Sequence, residues 1–299
     1  MDSSAKILVG TAGWSYNDWE GVFYPLGMNR RREHPLTYLA ECFDMVEINA
    51  SFYGYIKPEW VKVWSKRVDA VNPGFKFNAK LHNSFTHASR DMPGPTSAAS
   101  INPTQENERR VREGLDALAS IGRLGAVLAQ FPMSYRNTPL NREYLAILAR
   151  RFNNYPLAIE VRDESWDTPE TIRYLTELQI AFCNIDWVPT KTTLQETQYT
   201  TSRVGYVRLH GRHAKNDYLY KLGELKTWAE KVEKIAKATD VTYVVTNNTP
   251  GAKAVVSGLQ LKYLLTGMRV KAPESLLRQF PELRDVADAS HSELNGLIA

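Results

Sequence analysis

Ionisable side chains recur at every second position inside several short apolar runs of this chain. Glu47 and Asn49 alternate with Val46 and Ile48; Lys76, Asn78, Lys80 and His82 alternate with Phe75, Phe77, Ala79 and Leu81. Glu160 and Arg162 alternate with Ile159 and Val161, Asn184 and Asp186 with Cys183 and Ile185, and Tyr206, Arg208 and His210 with Val207 and Leu209. Period two is the repeat of a β-strand, so each run carries one apolar and one polar face. Burying lone charges is costly, so such groups must pair, meet water or meet a ligand. Glu47, Glu160, Asp186 and His210 are the residue types that carry protons, which makes them the candidate catalytic set for general acid/base chemistry. Arg162 and Arg208, with Asn247 and Asn248, are suited to holding a phosphate or carboxylate, and Asn49, Lys80 and Gln130 complete the polar ligand-binding set. Trp14 offers a ring to stack against, as do Trp166 and Trp187, with Trp19, Tyr53 and Tyr218 in adjoining loops. For any single ring, a plug over apolar surface is an equal alternative. A self-satisfied ion network is the competing reading of the charged set, with groups early in each strand structural and those at the last positions functional.

Those polar faces need a scaffold that turns them toward one another. Eight strand candidates run along the chain: Ile7–Trp14, Met45–Tyr53, Phe75–His82, Leu124–Pro132, Leu157–Val161, Ala181–Trp187, Val204–His210 and Val241–Asn247. Helix signals lie between them. Pro58 suits a first helical position, with Val61, Trp64 and Val68 as the apolar stripe. Thr168-Pro169-Glu170 reads as N-cap, first-turn proline and first-turn acid, and Thr104 with Glu106 opens another helix. Repeated strand–helix alternation implies parallel strands joined by crossover helices. Eight units predict an α/β chain folded as a single (β/α)8 TIM-type barrel over residues 1–270, with a short C-terminal helical extension over 271–299. In such a barrel the polar strand faces enter the lumen, Cys183 faces the helix ring, and function sits at the carboxyl ends of the strands. The loops after strands seven and eight, Arg208–Arg212 and Asn247–Lys253, are the customary phosphate corner of this architecture. The irregular stretch 83–103 is a candidate lid.

Composition sets the outer bounds. The chain has 299 residues, 43% hydrophobic, with a net charge of +4. That mild basicity permits an anionic partner without demanding nucleic acid, and the one dense cluster, Arg30-Arg31-Arg32, reads as a solvated loop. Two cysteines, Cys42 and Cys183, are too few for a disulfide framework, and no signal-like segment or membrane-length apolar run is present, so a cytoplasmic protein with no membrane partner is expected. No cofactor is expected. His210 and His213 do not have metal-site spacing on a strand, although carboxylates from separate strands with His82 or His210 would be the route to a divalent metal site.

Several motifs in order resemble a known family. They are Gly10–Tyr16 (GTAGWSY) with Trp19 and Phe23-Tyr24-Pro25, Val46–Asn49 with Phe52-Tyr53, Phe75–Phe77 with Lys80, and Gln130-Phe131-Pro132. Ile159–Arg162 with Ser165-Trp166, Tyr206–Arg212 and Asn247-Asn248 complete the set. This pattern is similar to the YecE-like family of uncharacterised TIM-barrel proteins (domain of unknown function 72), and it spans residues 6 to about 265. The resemblance implies a TIM-type barrel and no particular reaction. Asp163 and Thr246 depart from the pattern, standing where a histidine and an aromatic residue are usual. Three readings of function follow: an acid/base enzyme on a polar anionic substrate, with phosphoester or glycosidic hydrolysis foremost; a nucleic-acid-binding or DNA-repair-associated protein; and a non-catalytic binder of a small polar or phosphorylated ligand.

Overall fold

The computed structural model describes residues 6–28, 34–89, 91–92 and 94–290. The arginine cluster at 30–32 lies outside the described residues. Eight parallel strands close into a barrel in sequential order: β1 (Lys6–Ala12), β2 (Met45–Ile48), β3 (Lys76–Lys80), β4 (Leu124–Gln130), β5 (Leu157–Glu160), β6 (Ala181–Asp186), β7 (Val204–Leu209) and β8 (Val241–Thr246). Closure is made by β1 against β8, with Leu8 opposite Tyr243 and Gly10 opposite Val245. Each predicted strand is present, ending one to five residues earlier than expected. After β2 the chain turns at once into a 3-10 helix, Asn49–Phe52, rather than extending to Tyr53.

Among the described residues, seven helices cover the barrel: α1 (Pro35–Cys42), α2 (Pro58–Asp69), α3 (Gln105–Ser120), α4 (Pro139–Arg151), α5 (Pro169–Glu177), α6 (Leu222–Ala236) and α7 (Lys253–Thr266). Their starts are written locally. Pro58 sits in the first turn of α2, Thr168 caps α5 by accepting from the Thr171 N–H at 3.1 Å, and Thr104 caps α3. The partner of Thr104 in a capping box is Asn107, not Glu106. The β6–β7 crossover, residues 187–203, has no α-helix, so strand–helix alternation fails once. Beyond α7, β9 (Val270–Ala272), α8 (Glu274–Gln279) and β10 (Ala287–Ala289) pack on the barrel, with Leu276, Leu277 and Leu283 buried. The expected helical extension therefore also contains a two-stranded parallel sheet.

Where that helix is missing, the inward and outward faces of one strand are exchanged. On β6 the polar side chains point out of the barrel, not in. Asn184 Oδ1 accepts from the Tyr199 N–H at 2.7 Å and from Thr197 Oγ1 at 2.9 Å, while its Nδ2 donates to the Tyr199 carbonyl at 2.9 Å. Asp186 accepts from Trp228 Nε1 on α6 and from Arg212. A loop leaves backbone groups to be satisfied where a helix would present apolar side chains, so the outer face of β6 is the polar one. Cys183, expected to face the helices, points instead toward the lumen, where it senses the charges of Glu160 and Arg208.

The lumen is packed from below by Asn78, Tyr206 and Tyr243. Asn78 Oδ1 accepts from the Ala126 N–H at 2.9 Å and its Nδ2 donates to Tyr206 Oη at 3.1 Å. Gly125 makes room for this layer, since a Cβ there would lie 2.1 Å from Asn78 Oδ1.

Candidate functional site

Above that layer stands Arg208, fully buried and held by two fully buried carboxylates. Its Nη2 donates to Glu47 Oε1 at 2.7 Å and its Nη1 donates to Glu160 Oε2 and to Gln130 Oε1 at 3.2 Å. Glu47 also accepts from Tyr206 Oη at 2.8 Å. Arg162 closes over the top, its Nε and Nη2 donating to Glu160 Oε1 at 2.9 and 2.8 Å. Burial alone would raise the Glu160 carboxyl, but Arg208, His210 and Arg162 outweigh it and hold the group well below the usual carboxylate range. Arg208 is raised for the converse reason: burial works against its charge and the two carboxylates overcome it.

His210 is sealed into the same cluster. Its Nε2 lies 3.4 Å from Glu160 Oε2 and its Nδ1 is 2.8 Å from Asn247 Nδ2. Its Nε2 also lies 3.3 Å from Arg208 Nη1. Burial, reinforced by Arg208, pushes its pKa down to about 3 despite Glu160, so the ring is neutral at physiological pH. The Trp187 ring meets it in a T-shaped arrangement with the ring centres 4.6 Å apart.

A cavity of about 580 Å³ opens over this cluster at the carboxyl ends of the strands. Lys80, Arg162, Gln130, Asn49 and Asn247 face it among aromatic walls from Trp14, Tyr16, Tyr53 and Trp187; Asn216 and Thr249 complete the rim. Among the described residues, no carboxylate lines it. Lys80, 9% exposed, holds its ammonium 4.4 Å above the Phe52 ring, and no carboxylate among the described residues comes within ion-pairing distance of it. Burial lowers its pKa to about 8, with repulsion from Arg208 and Arg162 partly offset by Glu47 and Glu160. The Arg162 guanidinium is stacked 3.9 Å over Trp187, with its Nε and Nη2 on Glu160. Among the described residues, three lumenal cations, Lys80, Arg162 and Arg208, thus face two carboxylates, Glu47 and Glu160, an excess of one positive charge beside the cavity.

Of the residues singled out from sequence, Trp14, Asn49, Lys80, Gln130, Arg162 and Asn247 meet at this cavity. Glu47, Glu160, Arg208 and His210 form the sealed cluster beneath it. Two are placed elsewhere. Asp186 faces outward, with Arg212 Nε at 3.0 Å, and burial raises its pKa against that pairing. Asn248 turns into the helix layer, its Nδ2 donating to Ser257 Oγ on α7 at 3.0 Å and to the Tyr218 carbonyl at 2.8 Å. The customary phosphate corner is occupied by the chain itself: the Gly251 N–H donates to Asp18 Oδ2 at 2.6 Å, where an anion would otherwise sit. Trp19 and Trp166 are wholly buried, and His82 stacks on Tyr55 at 4.5 Å away from the cavity. Lys76 lies at the opposite end of its strand, donating to the Gly122 carbonyl. No described residue of the 83–103 stretch lines the cavity; it is tied to α4 instead, with the Ala98 N–H on Asn141 Oδ1 at 2.7 Å. Tyr16 and Asn216 were not anticipated. Tyr16 was legible as part of the Gly10–Tyr16 motif, whereas Asn216 lies in a loop without any periodic signal. Among the described residues, no three His, Cys, Asp or Glu side chains gather as a metal site, and no helix is long and apolar enough to cross a membrane.

A family model described as "Protein of unknown function DUF72" matches residues 8–280. The chain belongs to the DUF72 family. UPF0759 protein YunF of Bacillus subtilis (strain 168) is 24% identical to this DUF72 chain over 281 residues, covering 87% of it and 94% of YunF. The crystal structure of a DUF72 family protein from Thermotoga maritima MSB8 superposes with a TM-score of 0.74 at 30% identity, covering 87% of this chain and 99% of that one. A DUF72 family protein from Enterococcus faecalis V583 gives a TM-score of 0.71 at 23% identity, covering 87% and 95%. The family resemblance read from the ordered motifs is thereby established. The two departures are accommodated locally: Asp163 caps the turn after β5 by accepting from the Ser165 N–H at 3.0 Å, and Thr246 Oγ1 donates to the Ala254 carbonyl at 2.8 Å.

Proposed function

We propose that this DUF72 chain is an enzyme that takes a small polar anion into the mouth of its barrel. Lys80 and Arg162 meet the anionic group, Gln130, Asn49 and Asn247 orient the polar remainder, and Trp14 and Trp187 shape the walls. The observation that carries this reading is a cavity that, among the described residues, is lined by two cations and no carboxylate. Its volume of about 580 Å³ suits a metabolite-sized guest. A bound anion balances the one positive charge by which Lys80, Arg162 and Arg208 together exceed Glu47 and Glu160. Catalysis, rather than binding alone, is favoured by the concentration of perturbed ionisable groups in and under the cleft.

Phosphoester or glycosidic hydrolysis remains the form of chemistry first suggested by the sequence, but it fits less well. A proton carrier must reach its substrate within hydrogen-bond distance or through one water. Glu47, Glu160 and His210 are fully buried below Arg162 and Gln130, and Asp186 faces another direction. In this reading Glu160 fixes Arg162, and Glu47 and Glu160 tune Lys80.

Calorimetric titration with a panel of small phosphorylated and carboxylated compounds, each beside a neutral analogue, tests the proposal. Anionic members bind and neutral analogues do not. Arg162→Met weakens the anionic members at least about tenfold, or 1.4 kcal/mol. Equal binding of charged and neutral partners, or an Arg162→Met variant of unchanged affinity, refutes it. Product analysis on the compounds that bind separates an enzyme from a non-catalytic binder.

A further inference from the structure

Lys80 stands apart from the other charged groups of the lumen. Arg208 is gripped by Glu47 and Glu160, and Arg162 by Glu160, whereas the Lys80 ammonium meets the Phe52 face and the cavity. It is held at the end of β3, an element fixed on both sides by parallel pairing, so its stem is rigidly placed. The groups around it are the cations Arg162 and Arg208, the carboxylates Glu47 and Glu160 already committed to those arginines, and His87, which meets the same Phe52 ring at 4.9 Å. His87 is itself neutral near pH 7, since burial, with Lys80 and Arg162 adding to it, brings its pKa down to about 4. An amine desolvated beside other cations, without a carboxylate to hold its proton, is the usual setting of a lysine nucleophile.

We propose that Lys80 condenses with the carbonyl carbon of a small aldehyde or ketone that carries an anionic group, forming an imine in the cavity. This rests on the anion-binding reading of the site and adds the bond that is made. The neutral Nζ donates its lone pair to the carbonyl carbon, a C–N bond forms, and the C=O π pair moves to oxygen, which takes up a proton. Loss of that oxygen as water leaves a protonated C=N bond. The sum is ammonium plus carbonyl to iminium plus water, with nothing oxidised or reduced. With such a substrate Arg162 alone keeps the anionic group, leaving Lys80 to the carbonyl carbon, and Gln130 and Asn49 stand ready to hold the oxygen. With a pKa of about 8, roughly a tenth of Lys80 is the free amine at pH 7, against well under a thousandth for an ordinary lysine.

Reductive trapping tests this directly. The full chain is incubated with pyruvate, with dihydroxyacetone phosphate and with neutral acetone, each with cyanoborohydride, and the modified lysines are mapped by peptide mass. Lys80 is expected to be labelled at least tenfold faster than any other lysine, with a rate rising to half its maximum near pH 8. The first two probes distinguish a carboxylated from a phosphorylated substrate class. Arg162→Met slows labelling by the anionic probes about tenfold more than it slows labelling by acetone, since the lost cation affects all three probes through Lys80 but the lost ion pair affects only the charged ones; Lys80→Arg abolishes the adduct while thermal unfolding shows the fold intact. Lys80 labelled no faster than surface lysines by all three probes overturns the imine proposal; anion binding measured by calorimetry on the same sample then shows whether the binding reading survives. Fast labelling of Lys80 by acetone as well as by the anionic probes, insensitive to Arg162→Met, overturns the anionic substrate class.

Discussion

Replacing Glu160 by Gln removes one charge from the sealed cluster while keeping its shape, and the structure fixes how much that should cost. Arg208 has no exposed surface and its charge is met by two carboxylates, so water cannot take the place of the one removed. A pair at about 4 Å in an effective dielectric near 20 gains about 4 kcal/mol, and breaking a buried pair by deleting one partner costs about 3–5 kcal/mol. Glu160 serves Arg162 as well as Arg208, so the variant leaves three cations facing Glu47 alone. Urea unfolding should show a loss of about 3–5 kcal/mol with an unchanged denaturant slope. In the same variant Lys80 should titrate lower still, since one of the two carboxylates that raise its pKa is gone. A loss below about 1 kcal/mol, the range of exposed pairs, would refute the picture of a dry, mutually dependent cluster.

Three further outcomes follow from the same geometry. Gly10→Ala should cost about 3 kcal/mol or more in thermal unfolding, because its Cβ would lie 1.9 Å from the Met45 carbonyl oxygen of the neighbouring strand, whereas Gly223→Ala in α6 meets nothing and should be neutral or stabilising. His210→Asn should flatten the acid limb of stability. The folded imidazole titrates near 3 and the unfolded one near 6.5, so in that window only the unfolded chain binds the proton, and stability falls as pH drops. Removing the ring should shrink the difference in unfolding free energy between pH 7 and pH 4 by about 2–3 kcal/mol. Anion affinity measured by calorimetry should decline as pH rises through about 8, where Lys80 loses its charge, with proton uptake on binding above that value in wild type but not in Lys80→Met.

Where one face of a strand had to meet apolar helices, period-two reading placed the side chains correctly. Glu47, Lys80, Glu160, Arg162, Arg208 and His210 all enter the lumen as their alternation with branched and aromatic residues implied. It failed on β6 because the rule assumes a helix on the outer face, and there the cover is a loop whose backbone groups draw Asn184 outward while Arg212 and Trp228 draw Asp186. Depth was less legible than direction. Alternation says which side a residue faces, but not that Arg208 would lie beneath Arg162 rather than at the cavity, because depth depends on the stagger between strands. Asn248, one residue beyond Asn247, shows how sharply this acts, since a single step sends its amide into α7 instead of the cavity. The occupation of the phosphate corner by Asp18 depends on a contact 233 residues apart in sequence, which no local pattern reports.

The account turns on whether a negatively charged guest sits between Lys80 and Arg162. A high-resolution crystal structure of the protein purified without added phosphate or sulfate, then soaked with the tightest anionic binder from the titration panel, addresses it directly. The predicted result is density for the anionic group within 3.2 Å of both the Arg162 guanidinium and Lys80 Nζ, as expected for charge-assisted hydrogen bonds, with Glu47, Glu160 and Arg208 unmoved. Density at another surface with this cavity holding water alone, or a guest bound through neutral atoms with both cations turned away, would contradict it.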